Sequence, residues 1–451
     1  MAGKTLNEKN LVALGPERLA ELVMSLVQGS APLKREARAA LLEVAGSAAL
    51  AAETRKRLAT LKRSHSYVGY KKRKAFLRDL TQQRDIIVTR IAPQDPATAH
   101  DLLWQFLDMS NQVFRRVDDE QGVFTALYRE ACDSLALIAI AAKADPTVLA
   151  DRVFSTMTER SGYRVFDDFI ETMADALGEA GIAALTQRFA DALDDPEWDG
   201  DAVLRIGMMK LADLAGDADA YAAQYDPPLR KLPRVAAKIA ERLLKADRAQ
   251  EALTLLDASD TDEGYPPEWV HARIAALDGV GRKEDAQKMR WQAFEASLNP
   301  EYLREHLKRL PDFDDVETED RALDYVAEQG NALQALAFFI AWPALDRAAA
   351  HVMARRGAFD GNQYRRLSDA ADALEAKHAL AATILRRLMI EDTLNGAKSS
   401  RYKHAARHLL ECESADAVIE DYDPLNDHDR FVAGLRDRHG RKYAFWELVA
   451  P

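Results

Sequence analysis

Cysteine is nearly missing from this chain. Cys132 and Cys412 are the only two in 451 residues, and they lie far apart. That excludes a disulfide framework and suits a reducing compartment, so a cytoplasmic protein is expected. Glycine and proline are sparse too, at 21 and 16 residues, which excludes collagen-like and low-complexity chains. Long apolar runs are absent. The most apolar stretch, Leu135 to Ala142, falls far short of the roughly 20 residues that span a bilayer, and the opening MAGKTLNEKN has no signal-peptide core. No membrane association is expected. Strand patterning is missing as well, with neither sustained alternation nor β-branched enrichment. So are the common catalytic motifs: no GxSxG, no Walker A loop, no HExxH. Gly279-Val280-Gly281 lacks the third glycine and the preceding strand of a dinucleotide site. The chain is therefore expected to be non-enzymatic, with no cofactor and no metal.

What remains is helical composition. Ala, Leu, Arg, Glu and Lys dominate most windows, and each favours helix. Gly15-Pro16 opens a helix bearing Leu19, Leu22, Val23 and Leu26, which Gly29-Ser30 ends. Pro32 starts the next, with Leu33, Ala37, Leu41, Leu42 and Val44 on its inner side. Helices are predicted from about Ala48 to Arg63 and from Lys71 to Ile91. Asp95-Pro96 then starts an apolar helix through Trp104 and Phe106 to Phe114, ended by the charged turn Arg115 to Gly122. Pro146 and Ser161-Gly162 mark later joints. Asp312 to Asp320 (DFDDVETED) reads as an acidic linker. After it, helices are predicted over Ala332–Trp342, Ala344–Arg355, Tyr364–Glu375 and His378–Leu394.

A faint repeat lies between Pro233 and Asn299. KADRAQEALTLL (245–256) aligns with GVGRKEDAQKMR (279–290) at an offset of 34, setting Arg248 on Arg282, Glu251 on Asp285 and Ala252 on Ala286. A period of 34 is that of tetratricopeptide repeats. The expected fold is all-α: an α-solenoid of stacked helical hairpins, tetratricopeptide-like in its middle and C-terminal part. The expected division is an N-terminal helical domain over 1–225, carrying a basic segment at 54–90, and a repeat domain over 226–451 closed by a capping segment at 400–451.

That basic segment is the most unusual stretch. It holds twelve Lys/Arg and two Asp, +10 in total, while the rest of the chain carries 49 basic and 71 acidic residues, −22. Such polarity concerns a partner or a self-paired face. Lys62, Arg63, Lys71, Lys72, Arg73, Lys74 and Arg78 interleave with Tyr67 and Tyr70. Cations beside aromatic faces suit an acidic protein partner, or the phosphates and bases of nucleic acid. The bland alternative is a solvated face, its stems lying over Leu58, Leu61, Leu77 and Leu80.

Two further stretches are candidates. His404, His408 and Cys412 recur every four residues, but eight residues rise ~12 Å along a helix, so the three cannot share one ion. Arg401, Tyr402, His404, His408, Arg441, Lys442 and Trp446 are read instead as a C-terminal contact surface, with Arg436–Leu448 capping the last helix pair. Arg115-Arg116 with Asp118-Asp119-Glu120 can be a cation site or an acid/base pair, though a salt-bridged turn is the default reading.

Several segments carry a resemblance: Leu11–Ala20, Asp101–Phe106 with Val113–Asp119, Ala293–Leu298, and Ser400–Leu409 with His439–Lys442 and Phe445-Trp446. They resemble an uncharacterised bacterial family whose C-terminal part is similar to helical regions of some SWIM-type zinc-finger proteins. The three Cys and one His of a SWIM site are not present, so the resemblance implies no zinc. The expected function is a scaffold or adaptor binding a protein partner, with nucleic-acid association through 54–90 as the alternative.

Overall fold

The computed structural model describes residues 5–449, apart from 31–32, 35–36, 39–40, 42–45, 160–163, 197, 199–200, 260–263 and 424. Its described residues form helices joined by short turns, with no strand among them, so the all-α expectation holds. The expected inner positions Leu42 and Val44 and the joint at Ser161-Gly162 lie outside the described residues.

Local chemistry explains where the helices begin. Asp95 precedes Pro96–Leu107 and accepts from Thr98 N at 3.0 Å. Asn299, Asn331 and Asp427 cap Pro300–Leu307, Ala332–Ala341 and His428–His439 in the same way. Each side-chain oxygen satisfies an N–H that the helix itself cannot. Four later helices fall close to expectation, at Ala332–Ala341, Leu345–Arg355, Tyr364–Leu374 and Ala379–Asn395.

Three expectations need correction. The acidic linker is helical instead: Asp314–Glu328 is a helix with Asp314, Asp315 and Glu317 in its first turn. Carboxylates there are favoured by the positive end of the helix dipole. The helix expected over Lys71–Ile91 is Tyr70–Asp85 followed by a π-helical turn, Ile86–Ile91, where Ala92 N bonds to Ile87 O at 2.9 Å. That turn buries Ile86, Ile87 and Ile91. The helix expected to reach Phe114 breaks at Asp108-Met109 into Pro96–Leu107 and Ser110–Phe114. In the first long helix, Pro16–Val27, only Val27 is buried, and Leu22, Val23 and Leu26 stay exposed.

The chain divides into two compact units, the first ending at Lys231 and the second beginning at Leu232. In the first, Pro96–Leu107, Val123–Ala141, Pro146–Glu159 and Phe169–Leu193 surround an aromatic core. Phe106 stacks on Tyr128 at 4.9 Å, and Trp104 meets Phe169 edge-on at 5.9 Å. Each such ring removed from water contributes roughly 2–3 kcal/mol. Gly207 lies against the Phe189 ring, where a Cβ would come within 2.5 Å of Cε1.

In the second unit, consecutive helices pack on their neighbours. The aligned segments are alike in structure. Asp247 and Gly281 both take positive φ, and Arg248 N and Arg282 N bond back to Leu243 O and Leu277 O at 2.8 and 2.9 Å. Arg248 then pairs with Glu251 and Arg282 with Asp285, three residues on, while Ala252 and Ala286 are both fully buried. At the C-terminal end, Tyr443–Trp446 places the buried Phe445 edge-on to Tyr402 at 5.9 Å.

Candidate cationic ridge and cleft

The basic segment forms the helix Ser47–Arg63, a connection over 64–69, and the helix Tyr70–Asp85. The connection is held from inside by Arg116. Its Nε donates to Ser66 O at 2.9 Å, its guanidinium lies 4.8 Å over Phe76, and Val68 N bonds to Arg116 O at 2.8 Å. Burial pushes the Arg116 pKa down from its ordinary value.

Most cations of the segment fall into two groups. Arg57 pairs with Asp79, Arg73 with Asp118 at 2.9 Å, and Arg84 with Asp85 at 2.7 Å and with Glu130. Arg55, Lys56, Lys62, Arg63, Lys71, Lys72, Lys74 and Arg78 are exposed and make no ion pair among the described residues. Tyr67 and Tyr70 stand beside them, 66 % and 83 % exposed. Lys71, Lys72 and Arg73 lie in the first turn of Tyr70–Asp85, which has no acidic residue there and no side-chain cap.

Two stretches that looked separate in the sequence meet here. Tyr70, Lys71, Arg73, Lys74 and Leu77 line one wall of a cleft of about 660 Å³, and 118–121 with Val123 and Phe124 line the other. Arg73 and Asp118 join the walls. Asp119 is committed to the helix Val123–Ala141, accepting from Phe124 N at 3.0 Å and from Thr125 N and Oγ1 at 2.8 Å. The turn is thus a salt-bridged helix start. Among the described residues no group of three or more His, Cys, Asp or Glu is placed to hold a metal ion.

The C-terminal candidates divide differently. Arg401, His404, Arg441, Lys442 and Trp446 are at least partly exposed. Tyr402 and His408 are buried, so they leave the contact surface expected of them and belong to the core. The His408 side chain is 1 % exposed: Nδ1 is 2.9 Å from Glu411 Oε2, and Nε2 is 3.4 Å from Ser368 Oγ. Burial lowers its pKa despite Glu411. This linkage joins a serine, a histidine and a glutamate, with Ser368 at the fifth position of the helix Tyr364–Leu374.

Beside it lies a charge that the sequence reading did not single out. The Arg386 side chain is 1 % exposed, with Nη2 at 3.2 Å from Asp372 and 3.0 Å from Glu375, and Nε at 3.0 Å from Glu411. Burial opposes its charge, yet the carboxylates outweigh burial and raise its pKa. Arg387 makes no ion pair among the described residues. Nη1 donates to Asn426 O at 2.6 Å, and the guanidinium lies over Phe431 and Tyr422 at 4.4 and 5.1 Å. The available signal was two arginines inside the apolar run Ala379–Ile390.

Comparison with family models matches this chain over residues 1–203 and 199–448 to one described as "Family of unknown function (DUF6880)". Comparison with curated proteins finds no match, and comparison with solved structures finds none either.

Proposed function

The chain belongs to DUF6880, a family of unknown function, and for it we propose a non-enzymatic role as a helical-repeat scaffold whose basic ridge receives an acidic segment of a partner protein. The observation that carries this reading is the set of eight exposed cations without an ion pair among the described residues, beside three arginines that are paired. An acidic partner supplies what they lack, and long-range attraction speeds its arrival. The 34-residue hairpin register supports a tetratricopeptide-like arrangement in the second unit. A cytoplasmic setting is supported by Cys132 and Cys412, two buried thiols whose pKa values burial raises, to about 12 for Cys412. No helix among the described residues is long and apolar enough to cross a membrane.

A second reading rests on Tyr67 and Tyr70, exposed aromatic faces among cations, which suit single-stranded nucleic acid. Affinity purification from native lysate, with and without nuclease, separates the two. Proteins retained after nuclease by the wild type and lost with K71E/K72E/K74E support the scaffold reading. Partners that vanish on nuclease treatment support the second.

A further inference from the structure

Leu77, Val123 and Phe124 give the cleft beside the ridge an apolar lining. Lys71 and Lys74 stand on one wall without ion pairs among the described residues, while the facing wall carries Asp118, paired with Arg73, Asp119, held by Phe124 N and Thr125, and Glu120. Its size falls within the range of ligand-binding clefts. Its lysine-bearing wall suits one apolar side chain carried on an acidic backbone segment.

The same chain displays such a side chain. Phe313 is 86 % exposed and sits at φ 77°, ψ −26°. Asp314 N bonds to Pro311 O at 3.2 Å, so Phe313 occupies the third position of a turn that calls for positive φ. Glycine takes that conformation freely, and a bulky residue there is strained. A large apolar ring is thus held in water by a backbone that disfavours it. Strain of this kind gathers at binding features. Around the ring, Asp312, Asp314, Asp315 and Glu317 make no ion pair among the described residues, and Val316 is exposed.

We propose that the Phe313 turn of one copy of this chain enters the Leu77–Phe124 cleft of a second copy, its carboxylates resting on Lys71 and Lys74. The proposal rests on the reading of the ridge as a receptor for acidic segments and names a second copy as one occupant. Ring and cleft are different surfaces, so two copies can exchange the contact reciprocally as a two-fold dimer or repeat it from copy to copy.

Sedimentation velocity over a concentration series tests it at about 0.05 M and 0.5 M salt, conditions that differ strongly in screening. The wild type is expected to associate at the lower salt and dissociate at the higher. F313G relieves the backbone while deleting the ring, and it should stay folded by circular dichroism and remain monomeric. K71E/K74E should also remain monomeric. An equimolar mixture of the two should form a one-to-one pair that grows no further, because one intact ring then meets one intact cleft. The proposal is overturned if the wild type stays monomeric at low salt, if F313G associates as the wild type does, or if the mixture stays monomeric. Anisotropy of a fluorescein-labelled poly-glutamate peptide reads the ridge separately. Peptide binding without self-association sinks the ring-in-cleft contact alone, and loss of both sinks the ridge reading with it.

Discussion

Replacing Arg386 is the perturbation whose outcome follows most directly from the geometry. Its guanidinium is buried, and it holds Asp372, Glu375 and Glu411, tying Tyr364–Leu374, Ala379–Asn395 and Tyr402–Asp416 together. Removing one partner of a buried pair typically costs 3–5 kcal/mol, because a charge is stranded away from water. Here the stranded carboxylates are 60 %, 48 % and 27 % exposed, so water recovers part of that cost. Arg386→Met keeps most of the volume and is expected to destabilise the second unit by about 2–3 kcal/mol. Arg386→Ala adds a cavity and should cost about 1–2 kcal/mol more. Adding Glu375→Gln to Arg386→Met should return part of the loss, and a double-mutant cycle measures how much. The assay is urea unfolding, with hydrogen exchange read on the three helices so that only this unit is scored. Arg386→Met at or above wild-type stability would show that the cation is a net burden, and the reasoning would fail.

Two other outcomes are expected. Ala252→Leu and Ala286→Leu place a larger side chain at equivalent fully buried crossings, and each should cost about 1–3 kcal/mol by overpacking; urea midpoints that differ widely between them would deny the equivalence. Stability should also fall on acidification below neutral pH. Burial lowers the pKa values of His306, His351 and His408, so below the unfolded value of about 6.5 the unfolded chain binds more protons than the folded one. Their contribution is fully present above that pH and is lost as pH drops toward the depressed folded values, at up to about 1.4 kcal/mol per pH unit for each histidine. Chemical denaturation at a series of pH values reads the slope, and a flat profile between pH 7 and 5 would contradict the burial argument.

Much of the helix order was readable because its punctuation is local. Asp95-Pro96 and Asn331 act within one turn of themselves, so a linear reading finds them. The acidic stretch 312–320 was misread for a physical reason: clustered carboxylates look like a solvated linker, but at the head of a helix they are stabilising. The basic segment stood out by composition, whereas its divided pairing did not. Arg73 finds Asp118 from 45 positions away, and no window reports that meeting. Tyr402 and His408 show the same limit in reverse. Helical spacing places side chains on a common face without saying whether that face meets water or a neighbour. Arg386 was visible as a charge inside an apolar run, and its three partners come from two other helices.

Two kinds of cation can thus be told apart by what surrounds them. Arg386 lies in the core and is neutralised three times over, which is the signature of structure. Lys71, Lys72 and Lys74 lie near the start of a helix, where the dipole is positive and cations are disfavoured by about 0.3–1 kcal/mol each at low salt. The chain carries 73 acidic residues against 61 basic ones, so carboxylates were not scarce. Arg57, Arg73 and Arg84, on the same two helices, found theirs. The lysines are therefore in a locally unfavourable position that the fold leaves uncorrected. Folding alone favours acidic residues at a helix start, with Ser, Asp or Asn capping it, as Asp314–Glu328 and Pro96–Leu107 illustrate. A departure from the local rule without an ion pair among the described residues is what the proposed acidic partner would compensate. A carboxylate-bearing segment on the ridge would relieve the mutual repulsion and the unfavourable dipole at once. For that reason the first turn of Tyr70–Asp85, more than the total charge of the segment, is where a bound partner is expected to change stability most.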